Sequence, residues 1–481
     1  MSIDFSFWTL FYFLSSLIFG IIILLEKKHP VKALAYLAAV FLLPVAGILL
    51  YLFFGRDYRK RKLFSRKGTV DARQISQWKA GISFLAPNVD ASFIQSMVPY
   101  DKIIRLLYSN DHSVLTTNNA CNLLRNGEQL FPALFADCRR AKHHIHLEFF
   151  IVEEGSIATE LAGILLERAA AGVSVRFIYD DIGSRKLSDH YISRLRQGGI
   201  LMCPFMPVRF VRFTDKVNYR DHRKIVIIDG KIAYTGGINI SDRYDNRLKN
   251  KVFWRDTQLR IVGDAVLSFQ LRFLLNWQFV SGNRCSVTPE FFPDTSGEAV
   301  LPMQVIAGGP DYDQPGIVDM YASAIALATR RIALTTPYFV PPEVIQRALI
   351  AAALSGVEVE MIVPYRSDSR MLDWANRAFF DDMIEAGVKI YYYKKGFIHS
   401  KTMVVDDFFC TIGTTNLDYR SFDIDFEINA VIYSHSFSVE LMKDFCADKE
   451  NSVLIDKNAW KSRTLVHRFA ESVARLLGPV L

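Results

Sequence analysis

Two short motifs carry the residue types that phosphoryl-transfer chemistry requires. Both have the form HxKx4D, and their members are His222, Lys224, Asp229, His399, Lys401 and Asp406. On a β-strand, residues two apart point to the same side, so the histidine and lysine of one motif can reach one ligand. An imidazole can act as a nucleophile or a general acid, and an ammonium group neutralises phosphate oxygens. The pair of motifs predicts a site where one histidine attacks phosphorus while the other protonates the leaving oxygen.

Each motif is followed by a turn of small residues and an asparagine. Asn239 and Asn416 both lie 17 residues after their motif histidine. We predict that these amides and the two motif lysines bind the phosphate and act as fixed donors to a negatively charged transition state. The sequence offers no paired-carboxylate or His–Cys ligand set, so we expect catalysis without a metal or a cofactor.

A histidine nucleophile also needs an acceptor for its second ring nitrogen. Asp256 lies 34 residues after His222, and Glu427 lies 28 residues after His399, each in a predicted downstream strand. We predict that these carboxylates orient the histidines, the alternative being ordinary surface ion pairs on edge strands. The motif aspartates each open a predicted turn, and we expect them to organise structure rather than contact substrate.

An internal repeat with a spacing near 180 residues positions these motifs. The segment HHIHLEFFIVEE (143–154) corresponds to RRIALTTPYFVPPE (330–343), and helix–glycine–strand units follow in both copies. Alternating strands and helices predict an α/β fold of two pseudo-repeated lobes, each a mixed sheet flanked by helices. The predicted lobes are residues 121–290 and 291–481, with a connector at 68–120.

The histidine-rich start of the first copy could suggest a metal site. His143, His144 and His146 lie in an apolar alternation. We therefore assign them to a strand at or near the core.

The N-terminal region differs in composition from the rest. Residues 5–25 and 33–54 are uncharged runs, each long enough for a helix to cross the roughly 30 Å core of a bilayer. Pro44 and Gly47 would bend the second run or let it re-enter the same face. A cleaved signal peptide is disfavoured because no basic segment precedes the first run. Residues 1–67 are predicted to be a membrane anchor: a hydrophobic helical hairpin with a basic flank.

The distribution of charge indicates how the anchor is oriented in the membrane and which class of partner it contacts. Seven Lys and Arg residues between 56 and 67 outnumber the three lysines between the runs. The larger cluster favours a multi-pass protein with its lobes in the cytoplasm. The net charge of +7 and the basic flank favour anionic lipids and a bilayer over nucleic acid. Six scattered cysteines fit free thiols in a reducing compartment.

The C-terminal segment, residues 465–481, has apolar residues at helical spacing. They are Val466, Phe469, Val473, Leu476 and Leu477. We expect a helix packed on the second lobe, and membrane contact is the alternative.

The paired motifs resemble those of the phospholipase D superfamily, and longer strings are similar to its bacterial cardiolipin synthase branch. These strings are NYRDHRKIVIIDGKIAYTGGINISDRY (218–244), FIYDDIGS (177–184), TPYFVPPE (336–343), GFIHSKTMVVDD (396–407) and NLDYRSFDIDFEIN (416–429). The turns contain Gly-Gly and Thr-Thr where the superfamily often has Gly-Ser. The resemblance covers nearly the whole chain and implies a location in the bacterial inner (plasma) membrane.

The resemblance implies a ping-pong reaction. Two phosphatidylglycerol molecules would give cardiolipin and glycerol through a phosphohistidine, with His222 as nucleophile and His399 as general acid and base. The near symmetry of the repeat leaves the choice of nucleophile open, and the sequence does not indicate an oligomeric state. A hydrolytic phospholipase D, or a transferase that uses phosphatidylethanolamine, is the nearest alternative. A DNA phosphodiesterase and an inactive scaffold are more distant alternatives.

Overall fold

The computed structural model divides the chain into two units, residues 1–70 and 71–481. The described residues are 2–25, 30–52, 67, 93, 95, 97–208, 218–250, 252–282, 288–295, 300–312, 315–367 and 369–477.

The first unit contains three helices. They are α1 (Ser2–Leu25), α2 (Pro30–Leu42) and α3 (Pro44–Leu50). The second apolar run is interrupted because α2 ends at Leu42 and Pro44 begins α3, where its missing N–H costs no helical hydrogen bond. Within the described residues, no helix combines the length and the apolar character needed to cross a membrane. Nearly all of the predicted basic flank, residues 56–66, lies outside the described residues.

The second unit begins, in its described part, with α4 (Asp101–Asp111). Ile103, Ile104 and Leu107 of α4 are buried in the hydrophobic core of the second lobe. The described end of the predicted connector is therefore packed structure that leads from the second lobe into the first. Residues 68–92 of the connector lie outside the described residues.

The first lobe is a seven-stranded mixed sheet with helices on it. Its elements are β1 (Asn119–Arg125), α5 (Asn126–Arg139), β2 (His144–Phe149), α6 (Ser156–Ala170), β3 (Ser174–Asp180), α7 (Asp189–Gln197), β4 (Leu201–Phe205), β5 (Lys224–Ile228), β6 (Ile232–Gly236), β7 (Trp254–Arg255), β8 (Thr257–Gly263) and α8 (Ala265–Ser281). The strand order is β1-β8-β6-β5-β2-β3-β4. Strands β2, β3 and β4 run parallel, whereas β5, β6, β8 and β1 pair antiparallel.

The second lobe has an eight-stranded sheet. Its elements are β9 (Met303–Gly308), α9 (Gly316–Leu327), β10 (Arg331–Thr335), β11 (Phe339–Val340), α10 (Glu343–Leu354), β12 (Glu358–Pro364), α11 (Arg370–Arg377), α12 (Phe380–Glu385), β13 (Lys389–Tyr393), β14 (Phe397–Ile398), β15 (Thr402–Val405), β16 (Phe409–Gly413), β17 (Leu417–Asp418), α13 (Tyr419–Asp423), β18 (Glu427–Tyr433), α14 (His435–Glu450), β19 (Ser452–Leu454), α15 (Lys457–Lys461) and α16 (Leu465–Leu477). The strand order is β19-β13-β12-β10-β15-β16-β18-β9.

The two sheets have the same design. Reading from β9, the second sheet repeats the order of the first from β1, and β19 is added at the far edge. In both, three parallel strands continue into an antiparallel half, and the motif strands β5 and β15 lie where the two halves meet. The predicted fold class, two repeated α/β lobes with mixed sheets, is confirmed.

Two histidines of the histidine-rich segment lie in a core strand as expected, whereas His143 precedes that strand and is half-buried. His144 and His146 lie in β2 and are fully buried. Their ring nitrogens pair with the side-chain amide of Gln270, at 3.1 and 2.9 Å. Burial lowers the pKa of His144 to about 4, so the ring is neutral at pH 7.

Helix α16 forms as predicted and contacts α11, but its apolar residues are not its packing face. Leu465, Val466, Phe469 and Leu476 are exposed, whereas Glu471 and Ala474 are buried. Glu471 is held by Arg463, whose Nη1 lies 2.7 Å from its carboxylate. The helix is therefore seated through a small residue and an ion pair rather than through its apolar stripe.

Candidate active site

The two motif histidines stand at the ends of equivalent strands. His222 lies two residues before β5, and His399 lies three residues before β15. All of β5 and all of β15 are buried, which fixes the direction in which each motif leaves its sheet. The strands are buried because they are continuous apolar runs, IVII and MVV, in the interior of a mixed sheet.

The lobes exchange backbone hydrogen bonds at both motifs. Strand β14, just before His399, pairs parallel with β7 of the first lobe, and the His399 N–H donates to the Arg255 carbonyl at 2.7 Å. In the same way, the His222 N–H donates to the Phe426 carbonyl of the second lobe at 3.0 Å. Each histidine is thus bound to the residue that directly precedes the other lobe's acidic residue.

This exchange pairs each histidine with the carboxylate of the opposite repeat. His222 Nδ1 lies 2.8 Å from Glu427 Oε1, and His399 Nδ1 lies 2.9 Å from Asp256 Oδ2. Both carboxylates are fully buried, so the alternative of surface ion pairs on edge strands is wrong. Glu427 begins a strand as expected, whereas Asp256 lies between β7 and β8, and the spacing of both acids suggests pairs within each repeat. The contact is instead made across the lobe interface.

The pKa values of these groups follow from burial next to cations. Burial, and then the ammonium groups of Lys224 and Lys401, lower the pKa of His222 and of His399 well below the usual value. Both imidazoles are therefore neutral at pH 7. A neutral ring that donates from Nδ1 keeps its lone pair on Nε2, which is the nitrogen available for attack on phosphorus.

The motif lysines and their carboxylates have perturbed pKa values as well. Burial lowers the pKa of Lys224 to about 8 and that of Lys401 to about 7. Burial also raises the pKa of Asp256 to about 6 and of Glu427 to about 8. Each ammonium group donates to the carbonyl of its own motif histidine at 2.6 Å. Two lysines thus share a buried space with two carboxyl groups, and an anionic ligand bound there would favour the charged form of both lysines.

The two asparagines differ in their surroundings. The Asn239 side chain accepts from the Ile151 N–H at 2.9 Å and donates to the Tyr244 hydroxyl at 3.0 Å. Asn416 is also buried, and among the residues that the structure describes its Oδ1 has no hydrogen-bond partner. Asn239 therefore has a structural partner at each end of its amide, whereas the Asn416 oxygen lacks one.

The turns that precede the two asparagines differ in sequence because each turn lies against a different carboxylate. The Thr414 hydroxyl donates to Glu427 Oε2, which fixes the second oxygen of that carboxylate. The equivalent residue in the first lobe is Gly237, where a Cβ atom would lie 2.4 Å from the Asp256 carboxylate. Asp256 is held instead by the Thr257 N–H at 2.8 Å. Glu427 thus accepts from a threonine hydroxyl, whereas the position of Asp256 leaves room only for a glycine at 237.

The motif aspartates lie at the far ends of the motif strands. Asp229 accepts from the N–H groups of residues 142–144 just before β2, at 2.8 to 2.9 Å. Asp406 accepts from the N–H groups of residues 329–331 just before β10, at 2.6 to 2.9 Å. Each carboxylate ties the end of a motif strand to the start of its neighbour, and the active histidines lie at the other end.

Sequence reasoning did not single out several residues around His222. The Phe150 ring packs against the His222 ring at 5.1 Å and lies 5.5 Å from Lys224 Nζ. Asp221 and Glu148 form a buried acid pair, bridged by the amide of Asn276 at 2.9 and 3.0 Å. Asp418 is buried, and its charge acts to raise the pKa of His222. The only signal for Asp221 was its position next to the motif.

Comparison with known proteins gives the family. The sequence model described as "Cardiolipin synthase, PLD-like domain" matches residues 134–262 and 321–449, and "Phospholipase_D-nuclease N-terminal" matches residues 10–56. The chain belongs to the cardiolipin synthase family. Family membership identifies it as a phosphatidyltransferase, and the resemblance found in the sequence is confirmed.

Similar proteins support this assignment over the full length. A cardiolipin synthase of Geobacillus kaustophilus is 40% identical over 97% of this chain and 92% of its own length. Cardiolipin synthase 2 of Bacillus anthracis is 39% identical over 97% of this chain and 90% of its own. Among solved structures, the phosphatidylserine synthase of Haemophilus influenzae is 15% identical, with a TM-score of 0.60 over 79% of this chain and all of its own. That likeness shows a shared fold.

Proposed function

We propose that this phosphatidyltransferase is a cardiolipin synthase that transfers a phosphatidyl group between two phosphatidylglycerol molecules, releasing glycerol. The observation that carries the proposal is the pair of histidine–carboxylate contacts, each made across the lobe interface. Both contacts leave an Nε2 lone pair on a neutral ring, in a buried site flanked by two ammonium groups. Relatives about 40% identical over nearly the whole chain are named cardiolipin synthases.

The first half-reaction forms a phosphohistidine. His222 Nε2 attacks the phosphorus of one phosphatidylglycerol, and the phosphorus–oxygen bond to the glycerol headgroup breaks. His399, whose Nε2 takes up a proton from solvent when the anionic substrate binds, gives that proton to the departing oxygen, and glycerol leaves. The anionic phosphate offsets the neighbouring ammonium charges, so substrate binding raises the pKa of His399 and lets it carry that proton.

The second half-reaction returns the site to its starting state. His399 takes the proton from the terminal hydroxyl of a second phosphatidylglycerol, whose oxygen attacks the phosphorus. The phosphorus–nitrogen bond to His222 breaks, and cardiolipin is released. Lys224 and Lys401 stabilise the charge on the non-bridging oxygens in both transition states, and Asn416 helps to bind the phosphate. Asp256 and Glu427 hold the two imidazoles in the required tautomer and stabilise each imidazolium when it forms.

Association with a bilayer belongs to the same proposal. The helices of the first unit expose many large apolar side chains, among them Phe7, Leu25, Leu34 and Leu42. Exposed apolar surface of this extent is typical of membrane contact. We assign residues 1–67 to a membrane anchor in a bacterial inner membrane, with the lobes in the cytoplasm.

The test follows the products of labelled phosphatidylglycerol. The full-length protein in vesicles, with a chelator present, is expected to release glycerol and form cardiolipin in equal amounts. His222→Ala and His399→Ala are each expected to lower the rate at least about 1,000-fold, because removing a residue of a catalytic unit typically disables the whole unit. His190→Ala, an exposed histidine on α7, is the matched control and should leave the rate unchanged.

Other products would identify the alternatives. Phosphatidic acid with no cardiolipin would mean a hydrolytic phospholipase D. Cardiolipin formed only when phosphatidylethanolamine is added, with release of ethanolamine, would mean a different donor. Full activity in either motif-histidine variant would contradict the two-histidine mechanism.

A further inference from the structure

Helix α16 presents an apolar stripe to solvent. Leu465, Val466, Phe469, Val473 and Leu476 have 42 to 81% of their surface exposed. At 100° per residue these positions fall within about a third of the helix circumference. A surface helix of a globular protein normally buries such a stripe, and α16 has the reverse arrangement.

The seating of the helix explains why the stripe faces outward. Glu471 and Ala474, on the opposite side, are the buried residues, and Glu471 is bound to Arg463. Turning the stripe inward would expose this ion pair and leave Arg463 without its buried partner. The second lobe therefore fixes the orientation of the stripe as well as the position of the helix.

The charges on the helix identify the chemistry of its partner. Arg468 and Arg475 are the charged side chains that α16 exposes, and both lie on the same flank of the stripe. A helix with an apolar face, exposed arginines beside it and low mean hydropathy is typical of helices that lie in the interface of an anionic bilayer. The Arg475 guanidinium also lies 5.1 Å from the Phe379 ring of the second lobe, and a purely apolar partner would give Arg468 no complement.

The position of the helix connects it to the active site. Arg475 and Leu476 line a cavity of about 500 Å³ together with Tyr419 of α13. Tyr419 directly follows Asp418, the buried carboxylate whose charge acts on His222. The helix thus lines a cavity whose wall includes the chain neighbour of a buried carboxylate of the site.

We propose that α16 docks on the surface of an anionic bilayer, with its apolar stripe among the acyl chains and its arginines at the headgroups. This contact would hold the second lobe against the membrane on the side of the catalytic histidines. It is separate from the anchor at residues 1–67. Only the expected effect of docking on catalysis rests on the proposed function, because the docking itself requires no reaction.

The test places an environment-sensitive fluorophore on the stripe of the full-length protein. Phe469→Cys is labelled in a background in which Cys203, Cys285 and Cys446 are replaced by serine, and burial raises the pKa of the remaining thiols so that they react slowly. Leu354→Cys is the matched control, because Leu354 is 71% exposed at the end of α10. That end of α10 precedes the start of β12, at the end of the strands opposite to His399.

Vesicles of phosphatidylglycerol with brominated acyl chains supply the quencher. At position 469 we expect a blue-shifted emission and at least a twofold loss of intensity, and at position 354 neither change. Quenching that is equal in purely zwitterionic vesicles would overturn the anionic part of the proposal. A blue shift that depends on protein density, without quenching by lipid, would show a second copy on the stripe and overturn it. A solvent-like spectrum at 469 would overturn it as well.

This measurement separates the inference from the proposed function. Quenching needs no turnover, so an enzyme that failed to make cardiolipin would still report whether α16 is docked. A second arm uses Phe469→Glu, which puts a carboxylate among the acyl chains. We expect a 10-fold or larger loss of activity on vesicles and less than a twofold loss on detergent-dispersed substrate. Equal losses on both substrates would mean that α16 has only a structural role.

Discussion

The chemistry of the site depends on the protonation states of individual side chains whose pKa values burial has shifted. Two imidazoles are neutral, and the Lys401 ammonium, with a pKa of about 7, is close to losing its own proton. The ammonium is present below its pKa and is lost as the pH rises through it. The charge that stabilises the transition state therefore depends on a lysine that titrates near physiological pH.

This dependence gives a prediction for the pH profile. In the wild type, kcat/KM should fall as the pH rises above about 7 to 8, where Lys401 and then Lys224 lose their charge. Lys401→Arg keeps a permanent positive charge, so the alkaline limb should move up by about one pH unit or more, even if the maximum rate falls because a guanidinium fits less well. The measurement is kcat/KM against pH in vesicles of fixed composition.

The control is Lys231→Arg, at an exposed lysine in the turn after the first motif. It should leave the profile unchanged. An alkaline limb that stays in place in Lys401→Arg would assign it to another group, of which Glu427, with a pKa of about 8, is the nearest.

At the scale of strands and helices, much of the architecture could be predicted from the sequence. The repeat, the motif strands and the buried carboxylates follow from local patterns of apolar residues and spacing. The pairing of His222 with Glu427, and of His399 with Asp256, could not be predicted. It arises from short backbone contacts between lobes, such as β7 with β14, and a two-residue strand has no periodic signal.

The sequence favoured a packed stripe on α16 over an outward one for a similar reason. Helical periodicity shows that one face of a helix is apolar, and packing usually decides that this face is buried. Here Glu471 and its partner Arg463 decide the orientation instead. A long-range ion pair of this kind leaves no pattern in the sequence.

The motif strands also give a prediction about stability. Asp406 closes the far end of β15 by accepting three N–H groups, in a left-handed conformation with φ of 51°. Asp406→Ala should lower the free energy of unfolding by about 2 kcal/mol, because those donors lose a charged acceptor and alanine is strained at this φ. The rate per folded molecule should change less than about twofold. Thermal unfolding in detergent and the activity assay measure the two effects.

The acid dependence of this effect has a definite sign. Burial raises the pKa of Asp406, but the three N–H groups outweigh burial and bring the pKa below its usual value. A lowered carboxyl pKa contributes stability above the unfolded-state pKa, and that contribution is lost as the pH falls through the folded-state pKa. The difference between wild type and variant should therefore be full at pH 6 and shrink below about pH 4. Asp423→Ala, at an exposed aspartate at the C-terminal end of α13, should show neither effect, and a constant difference at all pH values would refute the assigned role.

At the scale of the whole molecule, the site exists only because two lobes are held in register. Arg255 connects them: its carbonyl accepts the His399 N–H, and its side chain lies 2.7 Å from Asp448 of α14. Asp444 lies beside the same guanidinium at 3.9 Å, and all three side chains are buried. Arg255 thus binds the backbone of the catalytic His399 and neutralises buried carboxylates at the lobe interface.

Removing this arginine should therefore weaken the lobe interface. Arg255→Met leaves the buried Asp448 carboxylate without its cation, which typically costs about 3 to 5 kcal/mol, whereas Asp444 keeps Arg125 at 2.7 Å. Burial already raises the pKa of Asp448, and loss of the arginine raises it further. A carboxyl with a raised pKa destabilises the folded state increasingly as the pH rises through its unfolded-state pKa. The melting temperature of Arg255→Met should fall below that of the wild type, and fall further between pH 5 and pH 8.

The double variant Arg255→Met/Asp448→Leu separates charge from packing. If the cost arises from the uncompensated Asp448 carboxylate, replacing it by an apolar side chain of similar volume should restore more than half of the lost melting temperature and remove most of its pH dependence. Activity should recover with it, because the carbonyl of residue 255 remains to bind the His399 N–H. A double variant no more stable than Arg255→Met would mean that the interface depends on the hydrogen bonds from the guanidinium to the Asp256 carbonyl and the Thr257 hydroxyl. The lobes would then be joined by hydrogen-bond geometry rather than by charge.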